Sequence, residues 1–175
     1  MLTSILSKIK KYGNRIRARF TPDYDKEMGV GCYFLEDGRP DIAILNFQRA
    51  SQVASSKEGL AEALIFHSFS RARAHRVKLA TLAHEHVRDV IDDYKTAVEL
   101  HPSHITFYHA ALVALNLGER KDFVAYLEKA VEVKPDDDVL IRVGRLATTF
   151  GLHGLAEKVR EELDVRGLSI HLYPL

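Results

Sequence analysis

The side chains of this chain that are best suited to catalysis or metal binding are nine histidines and one cysteine. His84 and His86 stand two residues apart, so on a helix they would point to different faces. His101, His104 and His109 follow at spacings of three and five residues. These are not the spacings of an HExxH site, and there is no cysteine pair to hold a metal. We therefore expect solvated or internally satisfied histidines, with no metal and no other cofactor.

A weaker combination, His86 with Asp89 and Asp93, could place an imidazole and two carboxylates on one helix face. Cys32 has no neighbour in the sequence that would activate it, so a packed or groove-lining thiol is the simpler interpretation. Phosphate loops of the GxGxxG and Walker types are absent, as is the GxSxG motif of hydrolases. The sequence therefore predicts a protein that is not an enzyme.

A basic run lies within residues 68–84, a stretch that contains no acidic side chain. Its members are Arg71, Arg73, Arg76 and Lys78. Such a run could bind an acidic partner, lipid head groups or nucleic acid, although most runs of this kind are solvated helix faces. Few aromatic residues accompany these cations, which disfavours the stacking of nucleic-acid bases.

Composition narrows the classes of protein further. The chain is 46% hydrophobic and 28% charged, as expected of a folded domain with a sizeable core. Its net charge of +1 gives no global attraction to nucleic acid or membranes. A lone cysteine excludes an internal disulfide framework and fits a reducing compartment. No apolar run approaches the roughly 18 to 20 residues that span a bilayer, so we expect a soluble, cytoplasmic protein.

Residues 1–22 form a separate segment that carries no acidic side chain. An apolar stripe at helical spacing with basic flanks predicts an amphipathic helix there. The side chains that would contact a membrane or cap the folded body include Ile5, Leu6, Ile9, Lys10, Lys11 and Arg15. The segment could therefore lie on an anionic membrane surface, cover the end of the folded body, or act as a mitochondrial presequence.

The most regular stretch, Ile105 to Pro135, predicts two amphipathic helices joined by a turn at Gly118. Small residues alternate with large apolar ones in both halves, and small residues let two helices approach closely. The proline ends the second helix because it cannot continue the hydrogen-bond ladder. A lone helical hairpin cannot bury its apolar face, so the unit is expected to repeat along the chain.

The same pattern recurs in residues 24–57 and, with departures, in residues 137–165. In the first copy it comprises Gly31, Phe34, Gly38, Ala43, Phe47 and Ala50; in the third, residues 104–136, it comprises Ala111, Gly118, Leu127, Ala130 and Pro135. This pattern resembles the tetratricopeptide repeat, a helix–turn–helix of about 34 residues. The resemblance covers roughly residues 24–165, between the N-terminal segment and an apolar tail at residues 166–175.

The second copy, residues 58–103, is irregular. Ala50 and Ala97 occupy equivalent positions but lie 47 residues apart, against about 34 in the family, so about 13 residues are additional. After Gly59 there is no glycine or proline before Pro102. The extra residues are therefore predicted to lengthen both helices into a hairpin that projects beyond the others.

The resemblance implies an all-α superhelix of antiparallel hairpins whose first helices line a concave groove. In the register of the family, the groove is lined by Met28, Cys32, Leu35, Phe66, Phe69, Tyr108, Leu112, Leu115, Ile141 and Arg145. This mostly apolar lining predicts capture of a peptide or helix from a protein partner. Relatives that clamp a carboxylate use Lys and Asn where Met28 and Cys32 stand, so that clamp is not expected here.

The function implied is that of a non-enzymatic adaptor or scaffold for protein–protein interaction. Two other occupants of the groove stay open, namely the N-terminal stripe and the apolar tail, in the same chain or in a second copy. The alternative function is that of an assembly factor tethered to a membrane surface by residues 1–22.

Overall fold

The computed structural model describes residues 23–78 and 84–168, and it describes residues 75–78 and 84–86 by their backbone alone. Within these ranges the chain forms eight α-helices and no strand. The helices are α1 (Tyr24–Glu36), α2 (Pro40–Val53), α3 (Lys57–Lys78), α4 (His84–Leu100), α5 (His104–Leu117), α6 (Arg120–Glu132), α7 (Asp137–Thr149) and α8 (His153–Val165). Consecutive helices pack as four hairpins, and each hairpin packs on the next. The predicted all-α class is confirmed.

The first helices of three hairpins begin at side-chain caps. Asp23 accepts a hydrogen bond from the Lys26 amide at 3.1 Å, and Asp136 accepts one from the Val139 amide at 2.8 Å. Ser103 does the same for α5. These acceptors satisfy amides that have no partner inside the helix, which explains where α1, α5 and α7 start.

The turns between the two helices of a hairpin depend on glycine. Gly118 has φ of 80° and ends α5, while Gly151 has φ of 67° and follows α7. A side chain disfavours this left-handed region, whereas glycine adopts it readily. The turn predicted around Gly118 lies there, and its equivalent recurs 33 residues later.

The core consists of three clusters that succeed one another along the stack. One joins α1, α2 and α3 around Phe47, the next joins α3, α4 and α5 around Tyr94, and the last joins α5 to α8 around Leu127. These three side chains have no exposed surface. Because α3 and α5 each contribute to two clusters, every hairpin is held by its neighbours, as in other repeat folds.

Close packing inside the first hairpin depends on Gly31. A Cβ atom at this position would lie 2.6 Å from the Cε1 atom of Phe47. Replacing Gly31 with alanine should therefore lower the free energy of unfolding by about 1–3 kcal/mol, the usual effect of overpacking. Urea unfolding followed by circular dichroism measures this change.

The control for this prediction is Gly29 on the same helix, where a Cβ atom would meet nothing within 4 Å. Gly29→Ala should raise stability by about 0.5–1 kcal/mol through helix propensity. Adding Phe47→Leu to Gly31→Ala should cost less than the sum of the two single changes, because the smaller side chain relieves the clash. Equal destabilisation by the two alanine variants would contradict the packing explanation.

The second hairpin is the longest of the four. Its helices α3 and α4 contain 22 and 17 residues, whereas each of the other six contains 13 or 14. The connection between them, residues 79–83, lies outside the described residues, as do residues 1–22 and 169–175. The number of inserted residues and the projection of this hairpin therefore remain predictions.

No helix among those described has both the length and the apolar character that crossing a membrane would require.

Candidate interaction face

The helices α1, α3, α5 and α7 are the first helices of their hairpins, and the surface they form together is named the first-helix face here. Two cavities open on it. The first cavity, of about 200 Å³, lies between α3 and α5, and the second, of about 520 Å³, lies between α5 and α7. Both are bordered by α5, so a ligand that covered this helix could reach into each of them.

The predicted groove residues differ in how much surface they offer. Met28 and Leu35 are only 8% and 7% exposed and belong to the first core cluster. They pack with α2 and α3 in that cluster, as Tyr108, also 8% exposed, packs in the last one, so their role in the lining stays a prediction. The half-buried members are Cys32, Phe66, Phe69, Leu112, Leu115 and Ile141, and Arg145 is exposed. Among all ten, the structure brings Phe66 to the first cavity and Tyr108, Ile141 and Arg145 to the second. Leu115 lines a smaller cavity of about 130 Å³ at the turn between α5 and α6.

The first cavity is rich in hydrogen-bond acceptors. Its walls are Glu58, Glu62, Ile65 and Phe66 from α3, and His101, Ser103, Ile105, Thr106 and His109 from α5 and the loop before it. Neither lysine nor arginine lines it. Ile105, which is 49% exposed, provides an apolar edge at the rim. The cavity thus combines two carboxylates with an apolar wall.

Glu62 is held in place by the start of α1. The Tyr24 hydroxyl donates a hydrogen bond to Glu62 Oε2 at 2.7 Å, and Gly59 O lies 3.1 Å from the same hydroxyl. Burial, together with this bond to a carboxylate, raises the pKa of Tyr24 well above its ordinary value. Tyr24 therefore stays protonated and keeps the carboxylate oriented beside the cavity.

His109 is a second polar group in the same cavity. Its ring centroid lies 5.0 Å from that of Phe66 and 5.4 Å from that of Tyr108. Although the side chain is only partly covered from solvent, its desolvation, aided by the charge of Arg142, lowers the pKa of His109 to about 4. The imidazole is therefore neutral near pH 7.

The second cavity has the opposite character. It is lined by Tyr108, Asp138, Ile141, Arg142 and Arg145. The Arg142 guanidinium donates a hydrogen bond to Asp138 at 2.8 Å, which raises the pKa of Arg142. Burial raises the pKa of the Tyr108 hydroxyl, against the opposing effect of Arg142. Because Arg142 balances the charge of Asp138, the charge of Arg145 makes the lining positive overall.

Apart from Arg145, the charged residues of both cavities were missed by the sequence prediction, as was His109. Glu58, Glu62, His109 and Arg142 lie beside the apolar positions that the repeat register selects. His109 follows Tyr108 directly, and Arg142 likewise follows a predicted groove residue. A polar side chain one position after a predicted groove residue is the signal that would have found His109 and Arg142.

The predicted basic run is partly neutralised by α4. Arg71 lies 3.6 Å from an Asp89 carboxylate oxygen and 3.8 Å from one of Asp93, while Arg73 donates to the Leu35 carbonyl oxygen at 3.3 Å. The side chains of Arg76 and Lys78 lie outside the described residues. The described part of this run is therefore engaged inside the protein.

The aspartates considered with His86 are engaged as well. Asp93 also lies 3.0 Å from Nδ1 of His67, and the side chain of His86 is not described. Among the described residues, no three histidine, cysteine, aspartate or glutamate side chains are grouped so that they could hold a metal ion. Burial, with Glu62 and Glu36 nearby, raises the pKa of the Cys32 thiol, which opposes thiolate formation.

The two ends of the chain are described only in part. The predicted membrane-contacting or capping residues Ile5, Leu6, Ile9, Lys10, Lys11 and Arg15 all lie outside the described residues. At the other end, Arg166 donates to the Pro135 carbonyl oxygen and to Asp137, both at 2.9 Å. Leu168 packs against the last core cluster. The start of the predicted tail therefore lies on the fourth hairpin.

Comparison with known proteins supports the fold. No family model and no curated protein matches the chain. Among solved structures, the crystal structure of MamA, a tetratricopeptide-like helical protein, aligns with a TM-score of 0.53 over 91% of this chain and 95% of that chain, at 18% sequence identity. An identity this low carries no information on ligands. The chain therefore has an all-α superhelical fold of the tetratricopeptide-like kind.

Proposed function

We propose that this protein is a non-enzymatic scaffold that binds a segment of a protein partner along the first-helix face. The observation that carries the proposal is the pair of cavities on this face, one bearing carboxylates and the other bearing arginines. The rings of Phe66 and His109 at the first cavity have centroids 5.0 Å apart, and the ring of Tyr108 at the second cavity lies 5.4 Å from that of His109.

The chemistry of this face favours binding over catalysis. His109 is neutral and packs against two aromatic rings. The pKa of the Cys32 thiol on α1 is raised. Nucleophilic catalysis needs the reverse arrangement, in which a base activates the nucleophile and lowers its pKa. Apolar anchors in the cavities would supply affinity, and the opposite charges at the two ends would set the direction of the bound segment.

Site-specific photocrosslinking in the native source tests the proposal. A photoreactive phenylalanine analogue is placed at Ile105, on the rim of the first cavity, or at Arg145, in the second. Matched probes replace Val133, which is 41% exposed after α6, and Val165, which is 84% exposed on α8. We expect the same partner to be captured at Ile105 and Arg145 and not at the two control positions.

The opposite pattern would overturn the proposal. Capture only at Val133 or Val165 would place the partner on the second helices. Capture of a second copy of the chain at the first-helix face would make self-association the function of this surface. Circular dichroism of each labelled protein establishes that the fold is retained.

A further inference from the structure

We propose that the first cavity receives the guanidinium group of an arginine, or the ammonium group of a lysine, carried by the bound segment of the partner protein. This inference rests on the proposed function and deepens it by naming the chemistry of the partner. It assigns a specificity to a cavity whose walls were not among the expected groove residues, apart from Phe66.

The first support is the charge of the cavity. Glu58 and Glu62 are one helical turn apart, so their carboxylates share a face of α3. Within the described part of the chain neither forms an ion pair, and Glu62 is hydrogen bonded through one oxygen to Tyr24. The second oxygen of Glu62 and both oxygens of Glu58 are left for a ligand. A cation that entered the cavity would meet both carboxylates.

The second and independent support is His109. Among the described residues, none forms a hydrogen bond with its ring, which is partly covered from solvent and lines the cavity. A neutral imidazole can accept a hydrogen bond from a ligand N–H. A guanidinium carries five N–H donors in a planar fork, enough to serve a carboxylate and an imidazole together. An unpartnered acceptor in an acidic cavity therefore points to a cationic donor.

The apolar wall fits the rest of such a side chain. Phe66 is stacked on Phe47 with ring centroids 5.4 Å apart, so the ring is firmly supported from beneath. The methylene groups of arginine or lysine pack well on aromatic and aliphatic surfaces, here those of Phe66 and Ile105. The face of an aromatic ring also attracts the cation itself.

The hydroxyl groups of the cavity are already committed. Ser103 Oγ accepts a hydrogen bond from the Thr106 amide at 3.2 Å and lies 2.9 Å from Thr106 Oγ1. They hold the start of α5, and the other polar side chains of the lining are the two carboxylates and the imidazoles of His101 and His109. A carboxylate ligand would meet repulsion here, whereas the arginines of the second cavity would attract it. The bound segment is therefore expected to place its basic residue between α3 and α5.

A peptide titration followed by NMR tests the proposal on the full chain. The probe is the acetylated and amidated peptide Ala-Leu-Arg-Leu-Ala, and its twin carries citrulline, which has the shape of arginine without the charge. We expect the arginine peptide to bind about tenfold more tightly than the citrulline peptide, as a charge-assisted hydrogen bond should allow. Its binding should shift the imidazole resonances of His109.

Two pairs of substitutions locate the effect. Glu58→Gln with Glu62→Gln should abolish the preference for arginine, while glutamine can still accept the hydrogen bond from Tyr24. The matched control is Glu157→Gln with Glu161→Gln, which removes two exposed carboxylates at the same spacing on α8. The control should leave the preference unchanged. His109→Phe keeps an aromatic ring at this position and should reduce the preference severalfold.

Three results would overturn the proposal. Equal affinities for the two peptides would exclude a cation site. If both double variants lost the preference for the arginine peptide to the same extent, the overall charge of the protein would explain that preference. Binding only after Lys8→Gln, Lys10→Gln and Lys11→Gln would show that the basic N-terminal segment of the chain itself fills the cavity. If photocrosslinking still captures a partner at Ile105 and Arg145, either of the first two results removes the cation site alone, and the third replaces the partner by the chain's own segment as its occupant. The scaffold function stands in each case.

Discussion

Replacing Phe47 with alanine should lower the free energy of unfolding by about 3–5 kcal/mol, the range typical of deleting a fully buried aromatic ring. The side chain of Phe47 has no exposed surface, and its ring lies against Gly31 on α1 and Phe66 on α3. Removal of the ring would leave a cavity where three helices meet, because their backbones cannot close around it.

Replacing Phe47 with alanine should also change the shape of the first cavity. Phe66 lines the first cavity and is supported by Phe47, so the shape of that cavity depends on the buried ring. Urea unfolding followed by circular dichroism measures the stability. The aromatic control is Tyr33→Ala on α1, where the side chain is 63% exposed. It should cost less than about 1 kcal/mol, as surface substitutions usually do. Similar costs for Phe47→Ala and Tyr33→Ala would contradict the assigned core.

Acidification should destabilise the protein through His109. The pKa of this side chain is about 4 in the folded state, against an ordinary value of 6.5. Above pH 6.5 the ring is neutral in both states and has no effect. As the pH falls from about 6.5 to about 4, the unfolded chain binds a proton that the folded chain does not, so stability falls. Below about pH 4 both states are protonated and His109 contributes no further change.

The total contribution of His109 is at most about 3 kcal/mol, from a pKa difference of roughly two and a half units. Other groups titrate in the same interval, so the measurement compares the wild-type protein with His109→Phe at pH 7, 6, 5 and 4. The variant should lose stability less steeply on acidification. NMR titration of the imidazole should give a midpoint near pH 4.

The control is His153 at the start of α8, an exposed side chain. His153→Gln should keep the pH dependence of the wild-type protein. If His109→Phe and the wild-type protein lose stability in parallel between pH 6.5 and pH 4, the desolvation of His109 is contradicted.

The positions that build the core follow from the sequence. The spacing of Gly31, Ala43, Phe47 and Ala50 predicts where the first two helices touch, and all four are buried in the structure. Their periodicity reflects the 3.6-residue turn of the helix, which is local in the chain. The glycine turn at Gly118 follows from backbone sterics, which are also local.

The candidate site was predicted less well. The register shows which side of a helix points toward the first-helix face, but it does not show how deeply the neighbouring helix covers each side chain. Met28 and Leu35 were therefore assigned to the lining, although they are buried in the core cluster that α1 shares with α2 and α3. Arg71 was assigned to a basic patch, although carboxylates of α4 lie beside it. Both cases concern residues that are distant in the chain and adjacent in the fold.

By itself, the amino-acid sequence determined the all-α class, the hairpin turns and the principal core positions, because helix periodicity and glycine geometry act over a few residues. Only the tertiary structure decided which polar side chains meet. Tyr24 reaches Glu62 across 38 residues, and His109 comes to lie against Phe66 on another helix. The lowered pKa of His109 and the acidic cavity beside it arise from this packing of distant segments, since desolvation depends on every neighbour in space.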